Sequence, residues 1–531
     1  MKIKITDTGL IQKLTGDYLS GKDTLTPFYV HRPDIQSVEK AIHTKQANYT
    51  FRTQLVTALK QQYKTTTPIP EVLSNIDKLA LDNTFTVTTA HQPNLFGGPL
   101  YFVFKILSAI AATHKMKQQY PAYNFVPVYW MGSEDHDAAE LNHIFLFNSK
   151  IEWTAPGDGA FGRLPTETLA PLIEEIKTQL GTMPFAHDTE ALLKRCYLQN
   201  DTIAHATHAL VNELFGKYGL VIVDGDDHNL KELYIPVITD ELKHHTSKQL
   251  TEATSSKLKE LGYTPQATAR HINLFYLDNN ERARIEQEGV GVGDTYTIAH
   301  TDKKFTKEEI LQLAHEQPRL FSPNVILRGL YQETVLPNIA FIGGGAEVSY
   351  WLQLKSLFEN YKVPYPIIML RDSAMLTETS FEEKWAALGF TIYDLFKDEA
   401  TLIKDFLAHS DEATYTNFSK EIEEAANAFE SIKNKLYNID KTLAPATEAE
   451  FVKVQQIIDG LKGRGTKAMK RKNEQYVQSI KNNKGKYFPD GVLQERHHNF
   501  LMWYARYGSG WMDSLLQEFN PFENTLTILP V

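Results

Sequence analysis

Short apolar runs that end in small or charged residues alternate with helical patterns through the first 376 residues. The runs that predict strands are residues 85–90, 125–131, 220–224, 339–342 and 365–370. Between the first two, an apolar stripe at helical spacing extends from Leu100 to Ala111 and predicts a helix that covers a sheet. Because buried parallel strands are nearly continuous apolar runs joined by crossover helices, the pattern predicts an α/β fold with a parallel sheet.

A different pattern, apolar heptads, begins after residue 377. Its positions alternate in steps of four and three and are Phe418, Ile422, Ala425, Phe429, Ile432, Leu436 and Ile439. Leu443-Ala-Pro445 interrupts this seam. A second helical run follows, whose apolar face carries Phe451, Val454, Ile458 and Leu461. We expect an antiparallel coiled-coil hairpin that forms a homodimer through its apolar seam, and a hairpin that packs only on itself is the alternative.

The 531 residues exceed the usual size of one domain, so more than one folded unit is expected. The intervals of about 145–217 and 230–320 are too long for simple crossovers, and they predict inserts with secondary structure of their own. We expect a core of residues 1–376 that carries both inserts, followed by a coiled-coil hairpin of residues 377–494. Residues 495–531 are expected to return to the core, because aromatic and apolar density rises again there.

The composition is ordinary for a globular protein, with 42% hydrophobic and 23% charged residues. The formal net charge of -10 argues against nucleic acid as a partner. No apolar window reaches membrane-spanning length, and the start MKIKITDTGLIQKL lacks the apolar stretch of a signal peptide. The single cysteine, Cys196, excludes an internal disulfide and suits a reducing compartment. We expect a cytoplasmic protein without membrane or nucleic-acid partners, and we interpret Cys196 as a helix thiol that packs in the protein.

The first predicted strand leads into the turn His91-Gln-Pro-Asn-Leu-Phe-Gly-Gly-Pro99, which precedes the helix from Leu100. Free N–H groups at a helix start favour anions, and glycines let a ligand approach the backbone. A tight strand–helix turn with no ligand is the alternative. The candidate binding residues of this turn are His91, Gln92, Asn94, Gly97, Gly98 and Tyr101.

The second predicted strand ends at Gly132 and is followed by a cluster of polar and ionisable residues: Glu134, Asp135, His136, Asp137, Asn142 and His143. Unpaired charge is costly to bury, so the cluster must lie beyond the strand, at the edge where open α/β sheets bind ligands. Glu134, Asp135 and His136 are candidates for acid–base catalysis, and Asn142 is a candidate for substrate binding. No metal is expected, since adjacent residues cannot all converge on one ion.

Two more polar clusters follow predicted strands near the end of the core. A triple glycine precedes a helix from about Ala346, and Glu347 either caps that helix or receives a ligand ammonium group. Arg371 either holds a ligand carboxylate or pairs with Asp372 at the end of the last strand. The candidate binding residues of this region are Arg328, Tyr331, Gln332, Gly343, Gly344, Gly345, Glu347, Arg371 and Asp372.

Three long segments carry a family resemblance: TTAHQPNLFGGPLYFVFK, VPVYWMGSEDHDAAELNH, and LYQETVLPNIAFIGGGAEVSYWLQLK with its following LRD. In these segments, and over essentially its full length, the chain resembles the cysteine-adding enzymes of bacillithiol biosynthesis, a family of cysteine ligases. The family pattern has Thr-Gly-Gln-Gln at the first turn, where this chain has Thr89-Ala-His-Gln92, so the role of His91 is open. The resemblance implies a Rossmann-like core related to nucleotidylyltransferases and class I synthetases, two connecting inserts and a coiled-coil dimerisation domain.

The activity that the resemblance implies is the joining of L-cysteine to the amine of glucosaminyl malate by an amide bond. The two malate carboxylates suit Arg328 or Arg371, and Asp135 or His136 would take the proton of the attacking amine. The cysteine carboxylate needs activation, for which ATP, another nucleotide or phosphate is the simplest means, and the co-substrate is left open. Two other classes stay as alternatives: a metal-dependent hydrolase that uses residues 134–137 and His143, and a non-enzymatic ligand-binding scaffold.

Overall fold

The computed structural model describes residues 1–67, 69–147, 149–157, 159–278, 281–289, 295–410, 414 and 417–531. The chain divides into two compact units. Unit 1 consists of Met1–Met375 and Glu495–Leu529, and unit 2 consists of Leu376–Gln494 and Pro530–Val531. The C-terminal segment therefore packs with the first unit, although unit 2 separates the two in sequence.

The strands are β1 (Lys2–Lys4), β2 (Thr84–His91), β3 (Asn124–Met131), β4 (His143–Leu146), β5 (Ser149–Glu152), β6 (Val221–Asp224), β7 (Leu274–Leu277), β8 (Arg282–Glu288), β9 (Thr295–Ile298), β10 (Lys304–Thr306), β11 (Phe321–Pro323), β12 (Asn338–Gly343), β13 (Ile367–Leu370), β14 (Ser373–Thr377) and β15 (Thr525–Pro530).

The helices up to residue 361 are α1 (Lys13–Leu19), α2 (Ser37–Asn48), α3 (Arg52–Gln62), α4 (Pro70–Lys78), α5 (Tyr101–Gln119), α6 (Ala138–Leu141), α7 (Ala170–Leu180), α8 (Ala186–Leu198), α9 (Ile203–Phe215), α10 (His228–Glu232), α11 (Ile235–His244), α12 (Thr246–Glu260), α13 (Lys307–Glu316), α14 (Val325–Val335), α15 (Gly345–Trp351) and α16 (Lys355–Tyr361). The later helices are α17 (Phe381–Ala386), α18 (Glu399–Ala408), α19 (Ser419–Tyr437), α20 (Leu443–Lys472), α21 (Glu474–Tyr487), α22 (Leu501–Tyr507) and α23 (Gly510–Glu518).

A parallel five-stranded sheet of order β13-β12-β2-β3-β6 forms the centre of unit 1. Strands β3 and β6 lie on one side of β2, and the later strands β12 and β13 lie on its other side. This is a doubly wound, Rossmann-like order whose connections diverge between β2 and β12. The α/β fold class predicted from the alternating pattern is confirmed, because each predicted apolar run forms a strand of this sheet.

Burial of both faces explains why these strands read as continuous apolar runs. Every residue of β2 is buried, and α5 packs against the sheet through its apolar side. The core beneath β2, β12 and β13 includes Phe85, Val87, Ala109, Met116, Ile342 and Ile367. Burying such side chains contributes roughly 1.5–3 kcal/mol each relative to exposure.

Long connections of unit 1 carry their own elements. Between β3 and β6 the chain forms the β4–β5 hairpin and helices α7 to α9. Between β6 and β12 it forms helices and an antiparallel sheet of order β10-β9-β8-β7-β11. Cys196 lies on α8 and is fully buried, and burial raises the pKa of its thiol, which agrees with a packing role and not with a nucleophile.

In unit 2, α19 and α20 form an antiparallel hairpin. The rings of Phe429 and Phe451 are 5.4 Å apart, and Lys433 Nζ lies 2.7 Å from Glu448 Oε1. The interruption between the two helices was predicted at Leu443-Ala-Pro445, and this was wrong. Residues 438–442 form the turn and Pro445 lies in the first turn of α20, where proline needs no N–H partner.

Within the described ranges, no helix is both long enough and apolar enough to span a bilayer.

Candidate functional site

A cavity of about 600 Å³ opens at the carboxyl edge of the parallel sheet. Its walls come from the segments that follow β2, β3, β12 and β13, from α5, α14 and α15, and from the antiparallel sheet between β6 and β12. The cavity thus lies where the connections of β2 and β12 diverge, which is the usual ligand site of a doubly wound sheet.

Predicted residues from three distant stretches meet in this cavity. They are His91, Gln92, Tyr101, Glu134, Asp135, Arg328, Gly344, Gly345, Glu347 and Arg371. Their convergence follows from topology, because the carboxyl ends of parallel strands lie at one edge of the sheet.

Other predicted residues do not line the cavity: Asn94, Gly97, Gly98, His136, Asn142, Tyr331, Gln332, Gly343 and Asp372. Three of their side chains have partners outside the cavity. Asn142 Nδ2 donates to Trp153 O at 3.0 Å, and Tyr331 Oη donates to Gly225 O at 2.9 Å. Gln332 Nε2 donates to its neighbour Glu333 at 2.9 Å within the core.

The glycine turn after β2 serves the fold. Gly97 and Gly98 have φ values of 80° and 62°, which favour glycine. Asn499 Nδ2 donates to Phe96 O at 3.0 Å and to Gly98 O at 2.6 Å, so the C-terminal segment already binds the carbonyls of this turn. A Cβ at Gly98 would lie 2.6 Å from Asn94 Cβ. The carbonyls of this turn therefore bind the C-terminal segment, while His91 and Gln92 at its start line the cavity.

Asp135 is held in its ionised form. Burial opposes ionisation, but a hydrogen bond from His136, the charge of Arg282 and a hydrogen bond from Gln92 lower the pKa of Asp135 far below its usual range. Gln92 Nε2 donates to Oδ2 at 3.1 Å, and the His136 backbone N–H donates to Oδ1 at 2.8 Å. Such a carboxylate is a weak base but a lasting negative charge.

His136 lies beside the cavity and touches one of its arginines. Its Nδ1 is 3.1 Å from Arg282 Nη1, and its ring lies against Phe275. Arginine only donates, so Nδ1 is the acceptor in this contact with Arg282.

Glu134 has a different environment from its neighbour. It accepts a hydrogen bond from Lys231, whose side chain is entirely buried and also donates to Phe321 O. Burial raises the pKa of Glu134, and the charge of Lys231 opposes the rise.

Among the described residues, no group of three or more His, Cys, Asp or Glu side chains is placed to hold a metal ion.

Lys105 on α5 is a site residue that the sequence analysis missed. Its Nζ donates to Ala90 O at 2.9 Å and lies 2.5 Å from Glu347 Oε2, which also accepts from the Gly344 N–H at 2.8 Å. Burial lowers the pKa of Lys105 while Glu347 raises it. A signal was present, since Lys105 interrupts an otherwise apolar stretch of the helix.

The cavity is strongly cationic. Seven basic residues line it against the three acids Glu134, Asp135 and Glu347. The basic residues are Lys105, Arg270, Arg282, Arg284, Arg328, Arg371 and Arg496. His91 adds no charge, because burial, together with the charges of Lys105, Arg371 and Arg328, lowers its pKa well below the usual value. Arg270, Arg282, Arg284 and Arg496 were missed, since nothing in their local sequence distinguishes them from solvated surface arginines.

Two family models together match nearly the whole chain. Residues 1–372 match the model described as "Bacillithiol biosynthesis BshC, N-terminal Rossmann-like domain", and residues 374–531 match "Bacillithiol biosynthesis BshC, C-terminal coiled-coil domain".

Among similar proteins, "Putative cysteine ligase BshC" of Flavobacterium johnsoniae is 38% identical over 531 residues, covering 100% of this chain and 99% of that protein. The protein of the same name from Christiangramia forsetii is 39% identical over 534 residues, covering 99% and 98%. The one from Cytophaga hutchinsonii is 34% identical over 520 residues, covering 98% and 97%.

Proposed function

The chain belongs to the BshC family of bacillithiol biosynthesis, whose members are named cysteine ligases, and from that premise we propose that it joins L-cysteine to the amine of glucosaminyl malate through an amide bond. We further propose that it acts in the cytoplasm as a homodimer formed through the coiled coil. Apolar residues of the hairpin that are exposed in the single chain, such as Ile457 and Leu461, support the dimer.

The observation that carries the proposal is the excess of positive charge in the cavity. The whole chain has a formal net charge of -10, yet basic residues outnumber acidic ones in the cavity by seven to three. Glucosaminyl malate brings two carboxylates and cysteine brings a third. A concave site with converging arginines attracts such substrates and holds their carboxylates by charge-assisted hydrogen bonds.

We assign different tasks to the two neighbouring carboxylates of the cavity. The attacking amine must lose a proton, and a base is most effective when its pKa is near the working pH. Glu134, whose pKa burial raises, is better suited to take that proton than Asp135, whose pKa is held far down. Asp135 instead keeps a fixed negative charge that orients the substrate ammonium group.

Activation of the cysteine carboxylate requires a co-substrate, and a nucleotide or phosphate would supply it. The residues that would hold its phosphates are Arg270, Arg284 and Arg496, which are exposed at the cavity and have no acidic partner among the described residues. Their guanidinium groups match phosphate oxygens in charge and geometry.

The test is a reconstituted reaction. Purified protein is incubated with L-cysteine and glucosaminyl malate, with ATP, with another nucleoside triphosphate, or with neither, and mass spectrometry detects the amide product. The matched variants are Glu134→Gln and the exposed Glu175→Gln. The proposal expects product from one co-substrate, strong loss with Glu134→Gln and normal activity with Glu175→Gln. Absence of product under every condition, together with normal bacillithiol in a deletion strain, would refute it.

A further inference from the structure

The basic residues of the cavity differ in whether their N–H groups already donate hydrogen bonds within the protein. Arg371 donates from Nη1 to Asp372 O at 2.9 Å and to Ser373 Oγ at 3.0 Å, and its Nη2 donates to Glu495. Both terminal nitrogens of Arg371 are therefore engaged by the protein itself. Its ring neighbour Tyr101 adds a cation–π contact at 5.3 Å.

Arg282 and Lys105 are engaged in the same way. Arg282 lies 3.6 Å from Asp135 Oδ1 and donates from Nε to Ser322 Oγ at 3.1 Å. Lys105 is paired with Glu347, as described above. A ligand carboxylate would have to displace an internal partner to bind strongly at any of these three cations.

Arg328 on α14 differs from Arg371, Arg282 and Lys105. Its Nη2 donates to Tyr350 Oη at 2.8 Å, whereas its Nη1 is buried and has no hydrogen-bond partner among the described residues. No carboxylate of the described chain forms an ion pair with Arg328. Arg328 lines the cavity, and a buried, unpaired guanidinium donor is costly, so a ligand group that reaches Nη1 would supply its missing partner.

Tyr350 supplies a second donor beside Arg328. Its oxygen accepts from Arg328, which leaves its O–H proton free to donate in another direction. Both side chains line the cavity. Arg328 lies on α14, which precedes β12, and Tyr350 lies on α15, which follows it. Two adjacent donors of this kind match the two oxygens of one carboxylate.

We propose that Arg328 Nη1 and Tyr350 Oη form the subsite that binds a substrate carboxylate, and that Arg371 is a positioning residue held by Glu495. This inference rests on the proposed function for the identity of the substrate. The carboxylate comes either from the malyl group or from cysteine, and L-malate and L-cysteine used separately as probes distinguish these sources.

The experiment measures binding of L-malate and of L-cysteine by calorimetry to the wild-type chain, Arg328→Gln, Tyr350→Phe and the control Arg506→Gln, whose arginine is exposed on α22. Loss of a charge-assisted hydrogen bond predicts binding about 10- to 100-fold weaker for Arg328→Gln, a smaller loss for Tyr350→Phe and no change for Arg506→Gln. The probe that responds identifies the source. Uncharged dimethyl L-malate should not bind.

Melting temperatures of the free variants separate binding effects from folding effects. Should Arg328→Gln fail to fold, Tyr350→Phe decides, because it removes one hydroxyl and keeps the ring. Undiminished binding of both probes to a folded variant, or no binding of either probe to the wild type, overturns the subsite. If the probes bind in an Arg328-dependent way but no co-substrate gives product, the subsite stands and the proposed ligase activity falls.

Discussion

Asp372 at the end of β13 should make the stability of unit 1 depend on pH. Its side chain is buried, Oδ1 accepts from the Asn520 N–H at 2.9 Å, and Oδ2 has no partner among the described residues. Burial raises the pKa of Asp372 from 3.8 to about 7. Because the folded carboxyl binds its proton more tightly than the unfolded one, ionisation costs folding free energy as pH rises from about 4 to 7.

The magnitude follows from the shift. Each pKa unit is worth about 1.4 kcal/mol, so the penalty on the wild type grows by about 3 kcal/mol between pH 5 and pH 8. Asp372→Asn cannot ionise and escapes this penalty, although its amide keeps the oxygen that accepts from Asn520. The stability of the variant relative to the wild type should therefore rise by up to about that amount from pH 5 to pH 8.

The assay is urea unfolding followed by tryptophan fluorescence at both pH values. Five of the six tryptophans belong to unit 1, so the signal reports mainly on that unit. The exposed aspartate Asp302 provides the control variant Asp302→Asn, for which no such pH-dependent gain is expected. A difference between Asp372→Asn and the wild type that is the same at pH 5 and pH 8 would refute the reasoning.

Three further predictions concern activity and assembly. Glu134→Gln should lower kcat by about 100-fold or more, whereas Asp135→Asn should keep the fold and impair turnover mainly through a raised KM for the amine substrate; similar kinetics for both would contradict the assigned tasks. Gly344→Val should weaken substrate binding in calorimetry with little change in melting temperature, since a Cβ there lies no closer than 3.5 Å to another residue's atom. Unchanged affinity would show that the substrate does not approach the backbone of this glycine. Ile457→Lys should convert the predicted dimer to monomer in sedimentation, while Gln456→Lys should not; a monomeric wild type would exclude the dimer.

Local pattern was sufficient for the predicted strands of the central sheet and for the coiled coil. Apolar runs such as residues 220–224 predict buried strands because the length and period of a run can be seen from adjacent residues alone. Polar clusters directly after those runs predicted a site at the carboxyl edge. The structure brings Asp135 and Gly344 to one cavity because one topological rule places all carboxyl ends of parallel strands at the same edge.

Side-chain partners could not be predicted in this way. Arg371 was predicted to bind either a ligand carboxylate or its neighbour Asp372. The structure pairs it with Glu495, which lies far along the chain. The glycine turn was interpreted as an anion site, and nothing in its local sequence indicated that Asn499 binds the carbonyl of Gly98. Both partners lie beyond unit 2 in sequence, and no periodicity links positions so far apart.

The sequence by itself determined which segments form the sheet, where the chain changes to a coiled coil, and which strand ends carry ionisable groups, because each of these follows from residues near one another in the chain. Only the tertiary structure decided which cations remain without an internal partner. That depends on charges delivered from separate elements, as when Lys105 neutralises Glu347 while Arg328 keeps a buried donor free.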